Sequence, residues 1–150
     1  MKQYRVYADT SVFGGCCDEE FDEASKMFFK LVKDGSFKLI ISPILLAELA
    51  EAPNEVKQIL SDLTQDLYDF VDYTPEVSDL RDKYLNAKVL TNKSKTDAEH
   101  IAYATIYNAD FVVSWNFKHI VHYEKISGFN SVNLMNSYKM ISIYSPKEMV

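Results

Sequence analysis

Short apolar runs alternate with stretches of helical periodicity along this chain. Runs rich in β-branched and aromatic residues predict strands over residues 4–8, 37–42, 69–73, 110–115 and 140–145. Apolar residues that recur every three or four positions predict helices over residues 21–32, 43–52, 55–65, 75–88 and 97–109, with a further short helix over 117–126. Strands that alternate with helices indicate an α/β fold with a mainly parallel sheet. In such folds the functional residues lie at the carboxyl ends of the strands.

Composition narrows the class of protein. A length of 150 residues suits one domain, and we expect residues 1–150 to form a single unit. The net charge of −6 argues against a protein that coats nucleic acid, but not against an enzyme that reaches RNA through metal ions and a local basic rim. The two cysteines are adjacent, so no disulfide framework is expected. Because we find neither a signal-like segment nor an apolar run long enough to span a membrane, we expect a cytoplasmic protein.

Acidic side chains stand at the ends of several predicted elements. Asp9 ends the first apolar strand, Glu48 lies among apolar residues of the helix after the second strand, and Asp97 opens a later helix. Asn116 directly follows the fourth strand. Carboxylate oxygens are ligands that Mg²⁺ and Mn²⁺ prefer, so convergence of the three acids would form a metal site. Each acid also has a simpler interpretation: Asp9 and Asp97 as helix caps, and Glu48 as a solvated surface acid.

Four segments that contain these residues resemble the PIN domain, and most of all the VapC-like toxin group of small prokaryotic ribonucleases. They read "YADTSVFGG", "ISPILLAELAEAP", "DAEHIAYATIYNADFVVSWNFKHIV" and "ISIYSPKEMV". The resemblance covers nearly the whole chain. It implies a three-layer α/β/α sandwich with a mainly parallel central sheet. It also implies hydrolysis of RNA with Mg²⁺ or Mn²⁺ as the cofactor.

The resemblance assigns roles to individual residues. The first three acids of the PIN family, which hold the metal and act in catalysis, match Asp9, Glu48 and Asp97. The fourth catalytic position, usually an aspartate, is Asn116 here; its amide offers an oxygen but no charge, which leaves open whether one metal ion or two would bind. Thr10 and Ser11 match the small hydroxyl residues that line the metal crevice, where substrate binds.

Basic side chains close to these positions are candidates for substrate contacts. Lys118, His119 and His122 follow the last site position and could bind phosphate, or could form an exposed polar helix face. His100 lies three residues after Asp97 and therefore projects near the same helix face. His100 could contact RNA or form a hydrogen bond to the acidic cluster, and we expect a structural role for it.

The implied function is that of a metal-dependent endoribonuclease, the toxin of a toxin–antitoxin pair. The implied partners are an RNA substrate, an antitoxin that docks as a helix in an apolar groove, and a second copy of the chain; no membrane partner is expected. The alternative is a catalytically weak or inactive PIN module that binds RNA or protein. Two other enzyme and signalling classes lack their signals here. A haloacid-dehalogenase-type phosphatase would need a second aspartate where Ser11 stands, and a receiver domain would need an adjacent acid pair at the first strand.

Overall fold

A five-stranded parallel sheet forms the centre of the computed structural model, which describes residues 2–150. Its strands are β1 (Tyr4–Ala8), β2 (Phe37–Ile41), β3 (Tyr68–Phe70), β4 (Phe111–Val113) and β5 (Ser142–Tyr144). They pair in the order β3-β2-β1-β4-β5. The predicted mainly parallel α/β sheet is therefore confirmed, and each predicted strand overlaps an observed one.

Helices cover both faces of the sheet. They are α1 (Thr10–Gly15), α2 (Asp22–Lys33), α3 (Pro43–Ala50), α4 (Asn54–Ser61), α5 (Pro75–Asn86), α6 (Lys95–Ile106), α7 (Tyr123–Met135) and α8 (Pro146–Met149). Because successive side chains of a strand point to opposite faces, Tyr7 and Val112 pack with α5, α6 and α7, while Val6 and Val113 pack with α1 to α4. Two apolar cores thus enclose the sheet in a three-layer α/β/α sandwich.

The strand order places one crevice at a defined point. The chain moves outward from β1 to β2 and β3, and then returns to the other side of β1 for β4 and β5. The carboxyl ends of β1 and β4 therefore flank the position where the sheet changes direction, which is where open α/β sheets bind ligands. Asp9 directly follows β1 and Asn116 closely follows β4, so both lie at this position.

The predicted short helix over residues 117–126 is wrong in its bounds. Residues 117–120 form hydrogen-bonded turns, residues 121 and 122 are bends, and the helix, α7, begins only at Tyr123. The Asn116 side-chain oxygen accepts the backbone N–H groups of Lys118 and His119, and the Asn116 carbonyl accepts those of Ile120 and Val121. This turn competes with a helix because an asparagine side chain can satisfy nearby backbone donors.

Helices α1 and α8, and the part of α7 after residue 126, were not expected from the sequence. Helix α1 contains two glycines, which lower its helix propensity, and α8 has only four residues. Helix α7 buries two asparagines, which breaks the apolar period. Asn130 exchanges two hydrogen bonds with the backbone of Ile141, and Asn133 binds the Tyr84 hydroxyl.

Within residues 2–150 no helix has both the length and the apolar character that a membrane crossing needs.

Candidate catalytic site at the carboxyl edge of the sheet

Asp9 is a buried carboxylate at the junction of β1 and α1. Only 5% of its surface is exposed, and it occupies the N-cap position of α1. One oxygen accepts the Ser11 N–H at 3.1 Å and the Ser11 hydroxyl at 2.5 Å, while the other accepts the Ser114 hydroxyl at 2.7 Å. Burial raises the pKa of Asp9 above its ordinary value, although the His100 charge and these hydrogen bonds oppose the shift. The cap interpretation of Asp9 is therefore correct, but the cap leaves the buried charge incompletely compensated.

Glu48 is held from two sides by the chain. Its Oε1 accepts the Thr10 hydroxyl at 2.6 Å and the His100 Nε2–H at 2.5 Å. Burial alone would raise the pKa of Glu48, but the hydrogen bonds and the charge of His100 lower it below its ordinary value. Glu48 is thus a carboxylate fixed by two side chains, and not a freely solvated acid.

Asp97 meets two side chains of the turn that follows β4. Its Oδ2 accepts the Asn116 amide N–H at 3.3 Å and lies 3.2 Å from His119 Nδ1. Because the Asn116 oxygen already accepts the N–H groups of Lys118 and His119, the amide directs its nitrogen, not its oxygen, at the acid. In this arrangement Asn116 acts as a hydrogen-bond donor to Asp97 and as the organiser of the turn.

Behind the carboxylates lies a buried network of which sequence reasoning identified only His100, as a candidate hydrogen-bond partner of the acids. His100 is 2% exposed, and its Nδ1 lies 2.5 Å from the Tyr7 hydroxyl, which in turn lies 2.6 Å from Ser42 Oγ. Burial lowers the pKa of His100, but the hydrogen bond to Glu48 and the charges of Asp9, Glu48 and Asp97 raise it by more. The expected structural role of His100 is consistent with these contacts. The only sequence signals were its spacing from Asp97 and the position of Tyr7 two residues before Asp9.

One hydrogen-bonded crevice therefore contains most of the residues singled out in the sequence. The structure brings together Asp9, Thr10, Ser11, Glu48, Asp97, His100, Asn116 and His119, with Ser114 as an addition that sequence reasoning missed. Two candidates behave differently. Lys118 is exposed at the rim, and His122 caps α7 through Glu124 N–H. A further acid, Asp110, lies outside the crevice, because it accepts the Arg5 N–H before β4 begins, at the opposite end of the sheet.

The donor chemistry of the crevice fits a hard divalent cation. Among residues 2–150, no three histidine, cysteine or acidic side chains form a ready-made ligand set. Mg²⁺, however, keeps several waters and is usually bound through one or two carboxylates. Within that same part of the chain, Glu48 Oε2 and Asp97 Oδ1 accept no hydrogen bond, so each carboxylate keeps an oxygen free. The residues therefore fit a hydrated Mg²⁺ or Mn²⁺ ion.

Comparisons with known proteins agree with the fold. The sequence matches no family model and no curated protein. Among solved structures, the chain is similar to one in a VapBC2 complex from Rickettsia felis, bound to a DNA fragment from its promoter. The TM-score is 0.56 at 15% identity, covering 94% of this chain and 98% of that one. A second neighbour comes from FitAcB of Neisseria gonorrhoeae, with a TM-score of 0.57 at 14% identity and coverage of 95% and 98%. The resemblance to the PIN fold of VapC-like toxins that the motifs predicted is thereby confirmed at the level of the fold.

Proposed function

We propose that this protein is a Mg²⁺- or Mn²⁺-dependent endoribonuclease, the toxin of a toxin–antitoxin pair. One observation carries the proposal: carboxylates at the end of β1, on α3 and on α6 lie in one crevice where the sheet changes direction, with at least one side-chain donor on each. Such clustered acids repel one another and RNA unless a cation joins them. A cation site of hard oxygens beside a rim with Lys118 and His119 is suited to a phosphodiester.

Individual residues of the chain would have distinct roles in the proposed reaction. A bound Mg²⁺ or Mn²⁺ would activate a water and neutralise charge on the phosphate oxygens. Asp9, Glu48 and Asp97 would hold the ion. The hydroxyls of Ser11 and Ser114 orient Asp9, and the Thr10 hydroxyl and His100 orient Glu48. Such partners keep a ligand in its productive rotamer. Asn116 would complete the catalytic set by orienting Asp97 and the turn that carries Lys118 and His119, which would contact the scissile phosphate.

The solved neighbours support a protein partner. Both are named as complexes, VapBC2 and FitAcB, and we propose an antitoxin for this chain as well. An apolar groove of about 600 Å³ lies beside Trp115 and is lined by Phe21, Met27 and Leu31 of the α2 region. A helical peptide with apolar anchors would fit this groove. We further propose a cytoplasmic homodimer that buries exposed apolar side chains such as Tyr123 and Leu134; sedimentation that shows only monomer at micromolar concentration would contradict the dimer.

A catalytically weak or inactive module is the second candidate, and Asn116 favours it. The amide brings no charge to the fourth acidic position, and its oxygen already accepts the N–H groups of Lys118 and His119. A chain of this kind would bind RNA or protein without cleaving RNA. Metal-dependent cleavage separates the two candidates.

The decisive test is the replacement of Asp9 by Asn. We expect Asp9→Asn to lower Mn²⁺-dependent cleavage of a mixed RNA pool by at least about 100-fold, because the cation loses a charged ligand. Its melting temperature without metal should stay the same or rise, since Asn caps a helix about as well as Asp and removes a buried charge.

Asp110→Asn is the matched control for this test. It makes the same chemical change at the opposite end of the sheet, where the new amide oxygen can still accept the Arg5 N–H. Cleavage by this variant should equal that of the parent. If Asp9→Asn cleaves as well as Asp110→Asn, Asp9 is not the catalytic ligand and the nuclease assignment fails.

A further inference from the structure

We infer that Ser42, Tyr7 and His100 form a positioning network that sets the spacing of the three carboxylates. The inference rests on the proposed function only in taking Asp9, Glu48 and Asp97 as the cation site. None of the three network residues is expected to touch the cation or the RNA. Their effect is exerted through the acids that they hold in place.

The network joins the three elements that carry the acids. Tyr7 lies on β1, two residues before Asp9; Ser42 caps α3, the helix of Glu48; His100 lies on α6, one turn after Asp97. The Tyr7 hydroxyl sits between the other two, 2.6 Å from Ser42 Oγ and 2.5 Å from His100 Nδ1. A single buried hydroxyl thus connects all three elements directly beneath the crevice.

Each bond of the network has one geometric consequence. Ser42 Oγ also accepts the Leu45 N–H at 3.2 Å, so the position of α3 is tied to the Tyr7 hydroxyl. His100 donates from Nε2 to Glu48 Oε1 at 2.5 Å, as the Thr10 hydroxyl does at 2.6 Å, so Oε1 is held and Oε2 keeps its capacity to accept. Tyr7, Ser42 and His100 are at most 2% exposed, so water cannot replace a lost partner without rearrangement.

The test measures Mn²⁺ affinity by titration calorimetry on the full chain, with Tyr7→Phe as the variant and Tyr84→Phe as its matched control. Tyr84 is also fully buried, and its hydroxyl binds Thr105 and Asn133 in the same apolar core, away from the acids. Both variants lose one buried hydroxyl with two partners, so both should melt at a lower temperature than the parent. We expect Tyr7→Phe to weaken Mn²⁺ binding by about 10-fold or more, in the range seen for residues that orient metal ligands. Tyr84→Phe should stay within about 2-fold of the parent.

A second pair of variants tests the effect on Mn²⁺ affinity separately from any loss of stability. In His100→Gln the amide nitrogen can reach Glu48 as Nε2 does, whereas in His100→Asn the shorter amide can reach only the Tyr7 side. We expect His100→Gln to retain most of the Mn²⁺ affinity and His100→Asn to lose about 10-fold or more. If His100 had a purely structural role, both substitutions would change the Mn²⁺ affinity by the same factor.

The outcomes separate this inference from the proposed function. Equal Mn²⁺ affinities for Tyr7→Phe and Tyr84→Phe, or for His100→Gln and His100→Asn, would overturn the positioning network. A parent that binds Mn²⁺ but cleaves no RNA would overturn the nuclease proposal and leave the network supported if the variants differ as expected. A parent that binds no Mn²⁺ would overturn both.

Discussion

Two neighbouring glycines in α1 offer a sharp test of the packing next to the site. A Cβ atom added to Gly14 would meet no atom within 4 Å. A Cβ atom added to Gly15 would collide with Ser25 Oγ and lie 2.7 Å from Trp115 Nε1. Gly14→Ala and Gly15→Ala therefore make the same chemical change in the same helix, but only Gly15→Ala produces a steric clash.

The magnitudes follow from these contacts. Alanine in place of glycine in a helix contributes about 0.5–1 kcal/mol of stability, and both variants receive this gain. Gly15→Ala also overpacks the core, at roughly 1–3 kcal/mol. It breaks the 2.8 Å hydrogen bond from Trp115 Nε1 to Ser25 Oγ, at roughly another 1–3 kcal/mol. The net expectation is a gain of about 0.5–1 kcal/mol for Gly14→Ala and a loss of about 1–5 kcal/mol for Gly15→Ala.

A thermal melt with tryptophan fluorescence measures both effects, because Trp115 is the single tryptophan. At about 2–4 °C per kcal/mol for a chain of this size, Gly14→Ala should melt a few degrees above the parent and Gly15→Ala clearly below it. The Gly15→Ala emission should also shift, since Trp115 must move. Displacement of Trp115 would also disturb the candidate site, because the Trp115 backbone N–H donates to Ser11 Oγ at 2.9 Å. If the two variants melt at the same temperature, the tight packing at Gly15 is refuted.

Two further predictions concern the site and the cysteines. Asn116→Asp replaces a donor to Asp97 by a second acceptor, so it should lower the free energy of unfolding without metal by about 1–3 kcal/mol and tighten Mn²⁺ binding; a calorimetric titration and a urea melt check both, and weaker Mn²⁺ binding would contradict it. Cys16 is buried and burial raises its pKa to about 11, whereas Cys17 is exposed, so a thiol reagent at pH 8 should modify one cysteine in the native protein and two after unfolding. Rapid modification of both in the native state would contradict this.

The fold was largely predictable because its signals are local. The buried parallel strands appear as short apolar runs, and Ser42 with Pro43 marks the start of α3 as expected. Helix α7 was not predictable in the same way. Its buried Asn130 and Asn133 look like surface residues in the sequence, and they become core residues only because Ile141 and Tyr84 satisfy them. Tertiary hydrogen bonds of this kind leave no periodic pattern.

The candidate site was predictable to a similar degree. The rule that function lies at strand ends pointed to Asp9 and Asn116, and the motifs pointed to Glu48 and Asp97. The sequence could not show that His100 is the partner of Glu48, because they lie 52 residues apart and the contact depends on how α3 and α6 pack. It also could not show which way the Asn116 amide faces, since that depends on the turn after β4.

The chain tolerates three clustered carboxylates because hydrogen-bond donors surround each of them. The amide of Asn116, in place of a fourth carboxylate, avoids further repulsion. Glu48 receives the Thr10 hydroxyl and an imidazole whose pKa is raised, and its own pKa is lowered. Asp9 receives only neutral donors in direct contact, and burial raises its pKa despite the more distant His100 charge. The negative charge of Asp9 is thus less well compensated than that of Glu48. The proposed cation would replace the water that Asp9 has lost, and a fourth carboxylate in place of Asn116 would add repulsion to every cation-free molecule. The amide at this position therefore favours folding in the absence of metal, at the cost of one charged ligand when metal is present.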